Sequence, residues 1–275
     1  MYWKLLLAFF RKKHRHPRPK ISLLIPFSSK DPGRIASLKW LLEYWHNELP
    51  EAEIVIGRSR GKVFCKGEAL NNAVKKSRGR ILVILDADAY IPGHIINRCA
   101  NRILEEMHHG NRMWYVPYRN LYRLKKDITY QILASDPRHP LRIPSPPPDD
   151  YYENTKDKSR YGHRYGAMLM MFPREAYDTL GCFDERFRGW GGEDVALLRA
   201  LDTLWGKHKT TKNDILHLWH PYIGDSYKTR MWEGQRAPNS NDKLAMRYHL
   251  ATGHPKKMRH LVNEGCKFRR KFLYL

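Results

Sequence analysis

Arg80-Ile-Leu-Val-Ile-Leu85-Asp86-Ala87-Asp88 is the stretch from which the fold can be read. Its apolar run has the length of a strand and no polar face, the pattern of a strand covered on both sides. Two carboxylates follow at once. In open sheets whose strands alternate with helices, ligands bind beyond the carboxyl ends of the strands. Asp86 and Asp88 therefore stand where chemistry is expected. The plain alternative is a solvated turn whose acids cap the next helix.

Outward from this stretch the pattern repeats. Ile21 to Phe27 and Ala52 to Gly57 read as further strands, and Met113 to Pro117 as a fourth. Apolar residues at helical spacing run from Ile35 to Trp45, from Glu68 to Lys76 and from His94 to Met107. The alternation predicts an α/β fold, a mostly parallel central sheet flanked by helices. Later in the chain a strand is expected at Met168 to Phe172 and helices at Arg174 to Leu180 and Asp194 to Leu204. A last strand is expected at Asp214 to His220. Residues 21–222 form the expected domain, between a basic and apolar N-terminal extension (1–20) and a basic helical tail (223–275). Within the domain, residues 137–160 are crowded with prolines and read as a lid or insert.

Bulk properties narrow the partners. A chain of 275 residues can bury a sizeable core. Its formal net charge of +22 favours a polyanion: nucleic acid, an anionic membrane surface or a phosphate-bearing substrate. A solvated basic surface is the plain alternative. No DNA-reading motif accompanies the charge. Met1 to Phe10 is apolar but too short to span a bilayer, and its charge follows the apolar run instead of preceding it. It suits peripheral contact with an anionic membrane, or docking on the protein's own core. Cys65, Cys99, Cys182 and Cys266 form no CxxC pair, and their scatter fits reduced thiols in a cytoplasmic protein.

Two more constellations carry chemistry. In Gly189-Trp190-Gly191-Gly192-Glu193-Asp194 the glycines allow close backbone approach to a ligand. The acids open the next helix, where one can act as a general base and the other accept hydroxyl hydrogen bonds. A glycine turn with acids favoured by the helix dipole is the alternative; it does not explain a tryptophan between glycines. In His217-Leu-Trp-His220, either imidazole can join Asp88 in holding a divalent metal such as Mg²⁺ or Mn²⁺, which would bridge a diphosphate.

On these residues the chain resembles a GT-A-fold glycosyltransferase of the family 2 type. Its second half is similar to the C-terminal region of β-1,4-galactosyltransferases and polypeptide N-acetylgalactosaminyltransferases. The resemblance covers about residues 21–222. It rests on Ile25-Pro26-Phe27, on Lys66-Gly-Glu-Ala-Leu-Asn71-Asn72, on Leu85-Asp-Ala-Asp88, on Tyr165-Gly166-Ala167, on Gly181 to Phe187 and on Gly189 to Asp194. It implies an inverting, metal-dependent transfer of a sugar from a nucleotide-sugar donor, a UDP-sugar, to an acceptor hydroxyl. It also implies roles: Asp194 as general base; Glu193, Trp190, Gly191 and Gly192 as acceptor-binding; Pro26, Phe27, Lys66, Asn72, Asp86 and Gly166 as donor-binding. Asp88 and His220 become metal ligands, with Asp86 on the ribose or the metal. His217 stands where galactosyltransferases have Met, and Ser28 where they have Arg, so the pattern names neither the ligating histidine nor the sugar. The acceptor stays open among glycan, protein, lipid and modified nucleic acid. Two other classes compete: a catalytically silent relative that binds nucleic acid or membrane through its basic ends, and a nucleotidyltransferase.

Overall fold

The structure is a computed structural model; it describes residues 18–61, 63–153, 168–189, 191–221, 231–232, 235–236 and 240–271. The N-terminal run at residues 1–17, and with it the reading of a membrane-facing segment, lies outside them.

β1 (Ile21–Pro26) is buried along its whole length. α1 (Pro32–Glu48) begins with Pro at its first turn, and the Asp31 side chain accepts a hydrogen bond from Arg34 N at 2.8 Å. Such a cap satisfies an orphan amide and fixes where the helix starts. β2 (Glu53–Gly57) follows, then α2 (Lys66–Lys76), capped by the Cys65 sulfur accepting from Glu68 N. Gly57 is where α2 presses on the sheet: a Cβ there would lie 2.2 Å from Ala69 O. β3 (Ile81–Leu85) is buried throughout, as its sequence predicts.

The chain continues through β4 (Ala89–Tyr90), α3 (Gly93–His108), β5 (Tyr115–Val116), β6 (Asn120–Arg123) and α4 (Lys126–Ala134). Then come β7 (Leu169–Pro173), α5 (Arg174–Leu180), α6 (Glu193–Leu204), β8 (Lys209–Thr210) and β9 (Asp214–His217). The short β10 (Met231–Trp232) and β11 (Gln235–Arg236) precede two helices, α7 (Ser240–Ala251) and α8 (Pro255–Lys271). No helix among the described residues is long and apolar enough to cross a membrane.

The central sheet has the order β2-β1-β3-β7-β5-β8. β1 pairs parallel with both β2 and β3, and β5 pairs parallel with β8. β7 enters antiparallel between β3 and β5. A smaller sheet, β4-β9-β6, sits beside it, with β4 antiparallel and β6 parallel to β9. The expected α/β architecture is present, with three differences. The fourth strand shrinks to two residues. The segment from Asn120 to Ala134, which shows no clear period, holds β6 and α4. The strand expected to reach His220 ends at His217: Leu218 N still donates to Asp88 O at 2.6 Å in the same register, and Trp219 N then turns to the Thr129 Oγ1 hydroxyl at 2.8 Å.

α7 and α8 pack onto α6, burying Leu244, Tyr248, Met258, Leu261 and Val262. Tyr248 Oη donates to Asp184 Oδ2 at 2.8 Å, and Asn241 exchanges hydrogen bonds with the Arg188 backbone. The basic C-terminal region thus forms the back wall of the Gly189–Asp194 loop.

Candidate active site

Five elements aim their functional ends at one place. β3 ends at Leu85 and releases Asp86 and Asp88. α1, α2 and α6 point their N-termini there, carrying Arg34, Lys66 and Asp194. β9 brings His217 and, three residues on, His220. The meeting of Asp88 with the histidines follows from register: Ala89 pairs with His217 across β4 and β9, so Asp88 is held one residue from the rung.

Lys66 joins the first two constellations. Its side chain is 8% exposed, and Nζ lies 2.8 Å from Asp86 Oδ1 and 2.7 Å from Asp194 Oδ1. Burial works against the ammonium, but Asp194 and Asp86 outweigh it and raise its pKa. The carboxylates feel burial most strongly. Asp86 is pushed up to about 6 by burial, despite the pull of Lys66, and Asp194 well above the usual range for the same reason. A carboxyl raised in this way has the basicity a general base needs near neutral pH.

Asp88 lies on the other flank of the same turn and behaves in the opposite sense. Burial would raise its pKa, but positive charge at His217, Arg34 and His220 holds it below the usual carboxylate range, and near neutral pH, where the imidazoles are uncharged, Arg34 is the cation that remains. His217 Nε2 is 3.6 Å from Asp88 Oδ1, and His220 Nε2 is 3.5 Å from Asp88 Oδ2. Both imidazoles are kept neutral: burial lowers His217 to about 3 and lowers His220 as well. One ligand atom from each of Asp88, His217 and His220 falls within 4.8 Å of the others. The N···O separations are too long for hydrogen bonds. They match the roughly 3–3.5 Å between neighbouring ligands that each sit about 2.1 Å from a shared ion. Two neutral imidazoles and an ionised carboxylate are a fitting donor set for a divalent transition metal.

The glycine loop supports this arrangement. Gly191 and Gly192 have positive φ, 109° and 89°, and Gly191 N donates to Glu193 Oε2 at 3.0 Å. Gly192 is the N-cap of α6, and a Cβ there would press on Ala245 and Phe187 at 3.0 and 3.1 Å. The loop needs glycine for both reasons. Glu193 and Asp194 form the first turn of α6. A cavity of about 30 Å³, lined by Lys66, Asp194, Leu70 and Phe183 among others, lies behind them.

Other expected site residues are placed less centrally. Pro26 ends β1 opposite Gly57, and Phe27 is buried in the core with its amide on Gly57 O. Asn72 is turned to the Arg58 carbonyl at 3.0 Å. Its neighbour Asn71 is the buried one, bonded to Phe183, Glu185 and Tyr177. Trp190 and Gly166, with the Tyr165-Gly-Ala167 segment, lie outside the described residues.

Arg34 is the residue that sequence reading missed. Nη2 lies 3.3 Å from Asp88 Oδ2, and Nη1 lies 3.3 Å from His220 Nδ1. A signal was available: Asp31-Pro-Gly-Arg34 opens a helix directly after a buried strand, which aims the helix N-terminus at the ligand crevice.

A family model described as glycosyl transferase family 2 matches residues 42–181, just over half of the chain. The chain belongs to that family. A second model, described as the N-terminal domain of galactosyltransferase, matches residues 151–220, the part that carries Asp194 and both histidines. Human chondroitin sulfate N-acetylgalactosaminyltransferase 2 is 27% identical over 216 residues, 77% of this chain and 36% of that protein. The chain therefore spans about a third of the length of that relative. Among solved structures, the mannosyltransferase of Pyrobaculum calidifontis in complex with GDP-Man and Mn²⁺ has a TM-score of 0.44 at 16% identity, over 96% of this chain and 75% of its own. The catalytic domain of Drosophila beta1,4galactosyltransferase 7 in complex with xylobiose has a TM-score of 0.42 at 13% identity, over 84% and 80%.

Proposed function

We propose that this chain is an inverting, metal-dependent glycosyltransferase that moves a sugar from a UDP-sugar to an acceptor hydroxyl. The observation that carries the reading is the convergence on one crevice of Asp86 and Asp88, Asp194, and the His217–His220 pair, three segments far apart in sequence. Family membership supports the same class.

The roles follow from position. Asp88, His217 and His220 would hold the metal, and the two imidazoles favour Mn²⁺ over Mg²⁺, which prefers an all-oxygen shell. When bound, the ion would neutralise charge on the leaving nucleoside diphosphate. Lys66 keeps Asp86 and Asp194 together and supplies a fixed positive charge beside the crevice. Asp194 takes the proton of the acceptor hydroxyl, which then attacks the anomeric carbon opposite the departing diphosphate and inverts it. Glu193, with the flanking loop of Trp190, Gly191 and Gly192, would orient the acceptor. The net charge of +22 favours an acceptor that is itself anionic. Thiol hydrogen bonds from Cys65 to Glu185 O and from Cys266 to Leu180 O suit a reducing compartment such as the cytoplasm.

The testing experiment measures nucleoside diphosphate released from a panel of nucleotide sugars, with Mn²⁺ or with EDTA. Slow, Mn²⁺-dependent release from a UDP-sugar is expected. Release of pyrophosphate would replace the reading with nucleotidyl transfer. Silence across the panel, together with no nucleotide binding, would favour the non-catalytic alternative.

A further inference from the structure

Arg34 and His220 share a contact whose chemistry has a definite direction. A guanidinium only donates hydrogen bonds. As a hydrogen bond, its 3.3 Å approach to His220 Nδ1 needs a lone pair on Nδ1, which puts the imidazole proton on Nε2, toward Asp88. A metal on Nε2 needs the other tautomer, with its lone pair on Nε2 and its proton on Nδ1. A second partner for that proton is already in reach, since the Pro221 carbonyl lies 3.2 Å from Nδ1. Nδ1 thus has two neighbours that demand opposite tautomers.

Charge runs the same way. Asp88 has a side-chain exposure of 9%, and Arg34 at 12% is its partner at 3.3 Å. A buried carboxylate needs a counter-cation. Arg34 is one counter-cation for Asp88, and a divalent ion on Asp88, His217 and His220 would be a competing one. Two cations on one carboxylate repel each other. A nucleotide diphosphate arriving with the metal offers the guanidinium new oxygen acceptors in bidentate geometry. Asp31 caps α1 through Arg34 N, so the backbone of Arg34 stays fixed while its side chain changes partner.

We propose that Arg34 is an exchangeable occupant of the metal site. It holds Asp88 and the Nε2–H tautomer of His220 while no metal is bound. It moves to the donor diphosphate when metal and nucleotide enter, and so makes their binding mutually dependent. This rests on the reading of Asp88, His217 and His220 as metal ligands.

The test measures Mn²⁺ affinity by calorimetry, with and without UDP, for the wild-type chain, Arg34→Ala and Arg34→Lys. The folding of each is checked by thermal melting. Wild type should bind Mn²⁺ weakly alone and at least tenfold more tightly with UDP. Arg34→Ala should bind Mn²⁺ alone several-fold more tightly than wild type, and UDP should then add little. Arg34→Lys keeps the charge but loses the fork, so its affinity for Mn²⁺ alone should stay near wild type, with a reduced gain from UDP. Equal or weaker Mn²⁺ binding by Arg34→Ala without nucleotide, or an undiminished gain from UDP, overturns the exchange and leaves the metal site intact. Absence of Mn²⁺ binding by all three proteins overturns the metal site as well.

Discussion

Asp86 and Asp88 are one residue apart on the same turn, yet they live in opposite surroundings. Asp86 faces Lys66 and Asp194, and burial pushes it up to about 6. Asp88 faces His217, Arg34 and His220, which hold it below the ordinary carboxylate range. Groups whose environments drive their pKa values apart have different jobs. On the proposed function, the Asp88 flank stays anionic and holds a cation. On the proposed reading, the Asp86–Lys66–Asp194 flank exchanges protons and holds the reacting parts in register.

The largest effect that tests this division is on chemistry. Asp194→Asn should lower turnover on the order of a hundredfold or more, as loss of a general base does, with Mn²⁺ and nucleotide affinity almost unchanged. Steady-state kinetics beside calorimetry separates these; turnover within a few-fold of wild type would remove Asp194 from the proton transfer. Next comes metal binding: His217→Ala and His220→Ala should each weaken Mn²⁺ at least tenfold. A loss confined to one of them would identify the single histidine ligand.

Stability gives a third, smaller test. Lys66→Met leaves two buried carboxylates without their shared ammonium, and should cost about 3 kcal/mol at pH 7, the lower end for a broken buried pair, since both acids keep some solvent contact. The sign with pH follows from the raised carboxyl values. A folded-state pKa above the unfolded one costs stability when the group is charged and ceases to cost it once the group is protonated. The deficit should therefore shrink as pH falls from 7 to 5, measured by denaturant unfolding. A deficit that grows over that range would place the burden elsewhere. The smallest effect is a near absence of one. Because burial lowers both histidines, Mn²⁺ affinity should stay almost flat between pH 8 and pH 6. A steep fall below pH 7, as for exposed imidazoles, would mean that the histidines are not buried as neutral ligands.

The same contrast explains what the sequence could convey. β1, β3 and β7 were legible because strands buried on both faces write continuous apolar runs, and β2, half-buried at the sheet edge, because Ile54-Val55-Ile56 is apolar too. Asp86, Asp88 and both histidines were legible because they sit at the ends of apolar runs, and Asp194 because it follows a glycine turn at a helix start. β4, β6 and β8 are too short to write a period, and the small sheet that brings His217 beside Asp88 exists only through pairing across the chain. Lys66 read as a donor contact, and its bridging of Asp86 and Asp194 depends on the N-termini of α2 and α6 meeting at the end of β3. The C-terminal helices read as a basic tail because their exposed residues are basic. Their buried stripe of Leu244, Tyr248, Met258 and Leu261 packs onto α6 behind the glycine turn.

The most direct test of the division is Mn²⁺ binding by Asp86→Asn and Asp88→Asn, followed by electron paramagnetic resonance of free Mn²⁺ in the presence of UDP. Asp88→Asn should abolish specific binding, and Asp86→Asn should keep it within a few-fold of wild type. Equal loss in both would make the two carboxylates a joint metal site and contradict the assignment of separate roles.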